Sequence, residues 1–229
     1  FIFIFMDLHS ILIFISSLII LSIASYQDIK TRYIDNILWL ILSTIGFILS
    51  IIYYKNFWPE LTLMYILIIA WYFDIMFYEY IMDAIILIIN IYLMINSSDI
   101  SFNIDVFLIM VYKYLFFINL IQGKADARAI MSITIIAPKY PSGFTYLTNV
   151  KNIVNILFPY SLEILFYALI INAIVFGIYV SYKNYKNGAK ISFTHIYSNG
   201  EYKKYETPFI FSMTLAFILS YILSLFSII

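Results

Sequence analysis

The sequence predicts an all-α fold: a polytopic bundle of about six to eight transmembrane helices. Two observations carry that expectation. Of 229 residues, 64% are hydrophobic and 11% charged, whereas a soluble domain is about 45–50% apolar and about 25% charged. The apolar residues also fall in long runs, several near the roughly 20 residues that a spanning helix needs, and the runs are separated by short polar or charged stretches.

The runs read in order as follows. Leu8 to Tyr26 is the first span; it has no basic leader and no small-residue cleavage site, so we expect a retained helix rather than a signal peptide. Asp35 to Tyr54 is the second, with Asp35 and Asn36 as candidate caps. Lys55 to Glu60, with Pro59, reads as a turn. Leu61 to Tyr80 is a third span and carries Asp74 within it. Ala84 to Ile95 is about 18 Å long as a helix, a half-span unless it extends back through Met82. Asn96 to Asn103 is a loop, and Ile104 to Ile121 a span containing Lys113. Ala129 to Ala137 runs into Pro138, which breaks a helix. Ile156 to Tyr182 is a long span interrupted by Pro159, and Pro208 to Ile229 is the last. Residues 183–206 form the largest polar loop, with five lysines and His195. No separate soluble domain stands out, so residues 1–229 read as one membrane-embedded domain.

Nine of the thirteen Lys and Arg lie in three groups: Lys30 and Arg32; Lys124 and Arg128; Lys183, Lys186, Lys190, Lys203 and Lys204. All three fall on one side if residues 61–121 cross an odd number of times, and the positive-inside rule makes that side cytoplasmic. The 22 Tyr and 21 Phe suit interfacial belts and also AT-rich coding, and carry no functional weight. Net charge is zero, so no nucleic acid or other polyanion is expected as a partner. Without cysteine the chain has no disulfide, thiolate zinc site or cysteine nucleophile. His9 and His195 are far apart and lack metal-ligand spacing, and no phosphate-cradling glycine loop is present. We expect neither metal nor cofactor.

Two charged stretches interrupt the apolar pattern. Ser25-Tyr26-Gln27-Asp28-Ile29-Lys30-Thr31-Arg32 ends the first run. Gln122-Gly123-Lys124-Ala125-Asp126-Ala127-Arg128 lies between the run ending at Ile121 and the one starting at Ala129. Such charges at membrane depth are costly and tend to be functional, and small Gly123 and Ala125 permit close approach to Asp126. The basic residues and helix count put Asp28 and Asp126 at the same depth, at helix ends, where two carboxyls share one proton. The carboxylate takes a proton from water, which attacks a carbonyl; the protonated partner hydrogen-bonds the carbonyl oxygen and helps protonate the leaving amine. A solvated interfacial charge is the competing reading of each aspartate.

These stretches resemble the archaeal preflagellin and prepilin peptidases, within the GxGD membrane aspartyl proteases. Residues Ser22 to Arg32 followed by Ile34 to Trp39 are similar to the family's first-aspartate block. Gly123-Lys124-Ala125-Asp126 is similar to the GxGD block, with Ala125 in place of the second glycine. Pro138-Lys139, Asn187-Gly188-Ala189-Lys190 and Thr207-Pro208 are weaker likenesses. About half the chain takes part; the apolar material between Glu60 and Asp105 exceeds the pattern. The resemblance implies catalytic Asp28 and Asp126, supported by Gly123, Lys124, Ala125 and Arg128. It implies removal of a basic leader from flagellin- or pilin-like precursors at the cytoplasmic face of the cell membrane. It implies no N-methylation, since the cysteine-rich zinc loop of bacterial relatives is missing.

Other residues admit other roles. Asp74 reads as an intramembrane packing group or a functional carboxyl, Lys113 as its partner or a snorkelling cation. Glu79 and Asp83 read as interfacial charges, and Lys124 and Arg128 as orienters of Asp126 or positive-side anchors. Residues 183–206 read as a solvated loop or a precursor contact. Two alternatives stand beside the peptidase: a small proton-coupled transporter using Asp74, Asp126 and Lys113, and a non-catalytic assembly subunit of a surface-filament system.

Overall fold

The computed structural model describes residues 8–73, 79–97, 99–121, 123–139, 159–190, 192–198, 201–205 and 207–226. Asp74 and the polar segment at 145–155 lie outside them. The described chain is mostly helical: α1 (Leu8–Thr31), α2 (Asn36–Tyr53), α3 (Trp58–Tyr72), α4 (Glu79–Asn96), α5 (Ser101–Phe117), α6 (Lys124–Ile136), α7 (Tyr160–Lys186) and α8 (Phe209–Phe226). A 3-10 turn, Lys55–Phe57, precedes α3. Residues Asn172–Phe176 of α7 wind as a π turn.

Among the described residues three helices, α1, α2 and α7, are long and apolar enough to cross a membrane; Tyr80–Asn96 and Phe209–Leu223 are shorter apolar helices. Apolar side chains cover the outside as well as the core. On α1, Leu12, Ile15, Ile19 and Ile23 are exposed while Ile13, Ser17, Ile20, Leu21 and Ala24 are buried. That pattern suits a lipid surround and would leave a large apolar patch in water.

Several boundaries differ from the sequence expectation. The third run is not one helix to Tyr80, because α3 ends at Tyr72. Trp58-Pro59-Glu60 is the first turn of α3 rather than a turn before it, as the fixed φ of proline allows. The charged stretches are helical as well: Gln27 to Thr31 is the last turn of α1, and Lys124 to Arg128 the first of α6. Asp35 sits at the N-cap of α2 but does not cap it. Its Oδ2 accepts from Gln27 Nε2 at 2.7 Å, and its own N–H donates to Gln27 Oε1 at 3.0 Å, which ties α1 to α2 across the turn. The polar loop is also more ordered than an all-α reading allows. The last turns of α7 reach Lys186, and His195–Ser198 (β1) pairs antiparallel with Glu201–Lys204 (β2). Asn184 anchors the hairpin, donating to His195 O at 2.7 Å and accepting from Tyr197 N at 2.8 Å.

Inside the bundle, small hydroxyls join the helices. Ser43 donates to Ser132 at 2.8 Å and Ser50 to Ile135 O at 3.1 Å, so α2 and α6 run parallel in close contact. Gly46 makes that approach possible: a Cβ there would fall 2.6 Å from Ile136 Cα. On the other flank, Thr214 of α8 bonds Ser25 at 2.6 Å and donates to Leu21 O at 3.2 Å, and Tyr221 bonds Ser10 O, so α8 lies antiparallel to α1. Such bonds, with small residues at the seams, hold helices together where lipid removes the hydrophobic drive.

Candidate active site

The helix directions bring the end of α1, the start of α6 and the start of α8 to one end of the bundle. Asp28 is buried there, in the last turn of α1. Ala24 and Ser25, one turn earlier, are small enough for α8 to approach. The first amides of a helix lack partners within it, and one of them, Ile210 N–H of α8, donates to Asp28 Oδ2 at 3.0 Å. The Phe211 amide and the Arg32 guanidinium also face Asp28. Arg32 ends α1 in the left-handed region at φ 58°. Its guanidinium reaches Tyr205 Oη at 3.3 Å, just before α8.

Asp126 stands in the first turn of α6. Gly123 is the N-cap of that helix. A Cβ on Gly123 would lie 2.5 Å from Asp126 Oδ2 and 2.9 Å from its Cγ. The carboxyl therefore folds back over Gly123, and the bare Cα gives it room. Ala125 packs at the edge of the core. Helices α1 and α6 touch, and Asp126 lies within electrostatic reach of Asp28.

The supporting cations take other places. Arg128 is buried and turns towards α3: its Nη2 donates to Trp71 O at 3.1 Å and Tyr72 O at 3.3 Å, beneath both rings. It thus holds the last carbonyls of α3, a favoured position for a cation. The Lys124 ammonium lies 6.0 Å from the Trp71 ring centre. These contacts fix α6 against α3 and so set where Asp126 stands.

Two further polar clusters were not evident in sequence as such. Asp83 is not an interfacial charge: it is buried, its Oδ2 2.6 Å from Lys113 Nζ and 3.0 Å from the Tyr114 hydroxyl. Beside it is a cleft of about 390 Å³ between α4 and α5, lined by Tyr80, Leu87, Phe107, Met110 and Ile118 among others. Spacing could not pair Asp83 with Lys113, because they sit on different helices. Towards the other end of the bundle, Lys139 pairs with Asp99 and lies over the rings of Tyr54, Phe57 and Phe102. Burial pushes the Asp99 carboxyl up, but hydrogen bonds from Lys139 and Ser101 outweigh it and hold the carboxyl below its usual value. Among the described residues no group of three or more His, Cys, Asp or Glu could hold a metal ion. Comparison of the chain with family models, with curated proteins and with solved structures gave no significant match.

Proposed function

We propose that the protein is an aspartic endopeptidase of the preflagellin and prepilin peptidase type. It removes a basic leader from flagellin- or pilin-like precursors at the cytoplasmic face of the cell membrane. The observation that supports the reading is the convergence of α1, α6 and α8, which brings Asp28 and Asp126 to one end of the bundle and within electrostatic reach of each other. They come from helices 98 positions apart, so local sequence does not force their proximity.

Two neighbouring carboxyls share one proton. In the proposed reaction Asp28, which accepts the Ile210 amide, serves as the carboxylate and Asp126 as the acid. Asp28 takes a proton from water while the water oxygen bonds to the scissile carbonyl carbon. Asp126 donates to the carbonyl oxygen as it gains charge. The C–N bond then breaks, the proton held by Asp28 passes to the leaving amine, and the carbonyl re-forms as Asp126 recovers its proton. A scissile bond at the start of a membrane-inserted helix reaches a site at this depth.

The test is cleavage of a leader-bearing precursor in membranes. Asp28→Asn and Asp126→Asn each abolish it while the protein still accumulates; full cleavage by either variant removes the pair from the mechanism. A second reading, a proton-coupled carrier, is favoured by the buried Asp83–Lys113–Tyr114 cluster beside its cleft. In that case Asp83→Asn is the damaging change and Asp28 is dispensable. Tolerance of substitution at all three positions points instead to an assembly subunit.

A further inference from the structure

We propose that the π turn of α7 is the device that positions Asp28, with Asn172 as its working residue. The proposal rests on the peptidase reading of Asp28. A π turn inserts an extra residue into a helix at an energetic cost and is found most often where function needs it. Helix α7 contains no proline between Tyr160 and Lys186, so ring geometry does not account for it. What the turn does is grip the start of α8 from both of its ends. At one end, Asn172 Nδ2 donates to Thr207 Oγ1 at 3.0 Å, and Ser212 Oγ donates to Asn172 Oδ1 at 3.3 Å. At the other, the Phe176 ring packs against Tyr205 and Phe211, with ring centres 6.4 and 6.3 Å away.

Thr207 and Ser212 flank Ile210, whose amide holds Asp28. Tyr205 also receives Arg32, the cation that faces the same carboxyl. Asn172 therefore touches neither carboxyl but spans the residues that do. By clamping Thr207 to Ser212 it fixes the first turn of α8, and with it the direction of the amide that orients Asp28. A regular α-helix, which has one residue fewer over this stretch, would turn the side chain of residue 172 to another side and open the clamp.

The experiment uses the full chain in lipid vesicles with a leader-bearing precursor, and reads two things. The first is kcat and KM for Asn172→Ala, Thr207→Val and Thr207→Ser. The second, independent of activity, is amide hydrogen exchange at Ile210 and Phe211 in the wild type, Asn172→Ala and Asp28→Asn. Asn172→Ala and Thr207→Val should each lower kcat about tenfold at little changed KM, a fraction of the roughly hundredfold loss that a 1 Å misplacement brings. Their combination should cost no more than Asn172→Ala alone, because that change already removes the bond to Thr207, and Thr207→Ser, which keeps the hydroxyl, should restore the rate. Exchange at the start of α8 should speed up in Asn172→Ala. Unchanged exchange there overturns the proposal, whatever the activity, and so does a rate loss carried by KM alone. If the wild type cleaves no precursor while Asn172→Ala still frees the amides, the peptidase reading fails and the clamp on Asp28 stands.

Discussion

Gly123→Ala separates fold from chemistry more sharply than any other single change. The added methyl would lie 2.5 Å from Asp126 Oδ2 and 2.9 Å from Cγ. Reaching the 3.4 Å of an ordinary contact requires the carboxyl to move by ~1 Å, and a shift of that size in a reacting group costs on the order of a hundredfold in rate. The colliding atoms are the end of a flexible side chain, so the backbone need not move. Alanine is a poorer N-cap than glycine, which sets a stability loss of about 1 kcal/mol or less. Gly123→Ala should therefore accumulate in membranes near wild-type amounts and unfold within a few degrees of wild type, yet cleave a leader-bearing precursor about a hundredfold more slowly. Cleavage at the wild-type rate would refute the claim that the folded-back carboxyl of Asp126 does the chemistry.

At Gly46 the same substitution should act on the fold instead. A Cβ there meets Ile136 backbone at 2.6–2.8 Å, so Gly46→Ala forces α2 and α6 apart, and overpacking of this kind costs about 1–3 kcal/mol; a lowered thermal midpoint in detergent checks it. Lys113→Met leaves the Asp83 charge buried without its ammonium and should destabilise by about 3–5 kcal/mol, whereas adding Asp83→Leu should recover most of the loss. Asp99 is held below its usual value of 3.8 by Lys139 and Ser101. Its stabilising contribution is thus complete above 3.8 and disappears as pH falls through the lower value of the folded protein. Asp99→Asn should remove that part of the acid sensitivity, read as the change in thermal midpoint across this range.

Much of the candidate site was legible because charges at membrane depth are rare enough to be conspicuous. Asp28 and Asp126 stand out against apolar runs, and the distribution of basic residues leads to the expectation that they share one depth without using the aspartates themselves. What stayed hidden depends on contacts between helices. The Asp83–Lys113 pair, the turn of Arg128 towards α3, and the grip of Asn172 on α8 join residues from different elements. No periodicity or spacing encodes them. Charge alone does not mark the helix limits: Asp28 to Thr31 continue α1 and Lys124 to Asp126 start α6, where Lys30 at a C-terminus and Asp126 at an N-terminus suit the helix dipole. The β-hairpin was missed because its strands are four residues each and mostly exposed, so neither shows the alternation that marks a half-buried strand.

The strongest objection to a catalytic Asp28 is that it already has a structural task. Its carboxyl receives the Ile210 amide and so caps α8 from outside that helix. The two roles make different demands. Capping needs only a side-chain oxygen of the right reach, and asparagine serves about as well as aspartate at such positions. Taking a proton from water needs a carboxylate, which asparagine lacks. Asp28→Asn therefore keeps the cap and removes the base: if capping is its whole task, stability and cleavage both survive, and if it is the base, stability survives alone. Asp28→Ala removes both, so a fall in stability from Asn to Ala, with cleavage absent in each, measures the cap apart from the chemistry. Cleavage by the asparagine variant would leave Asp28 as a structural cap and take the proposed reaction with it.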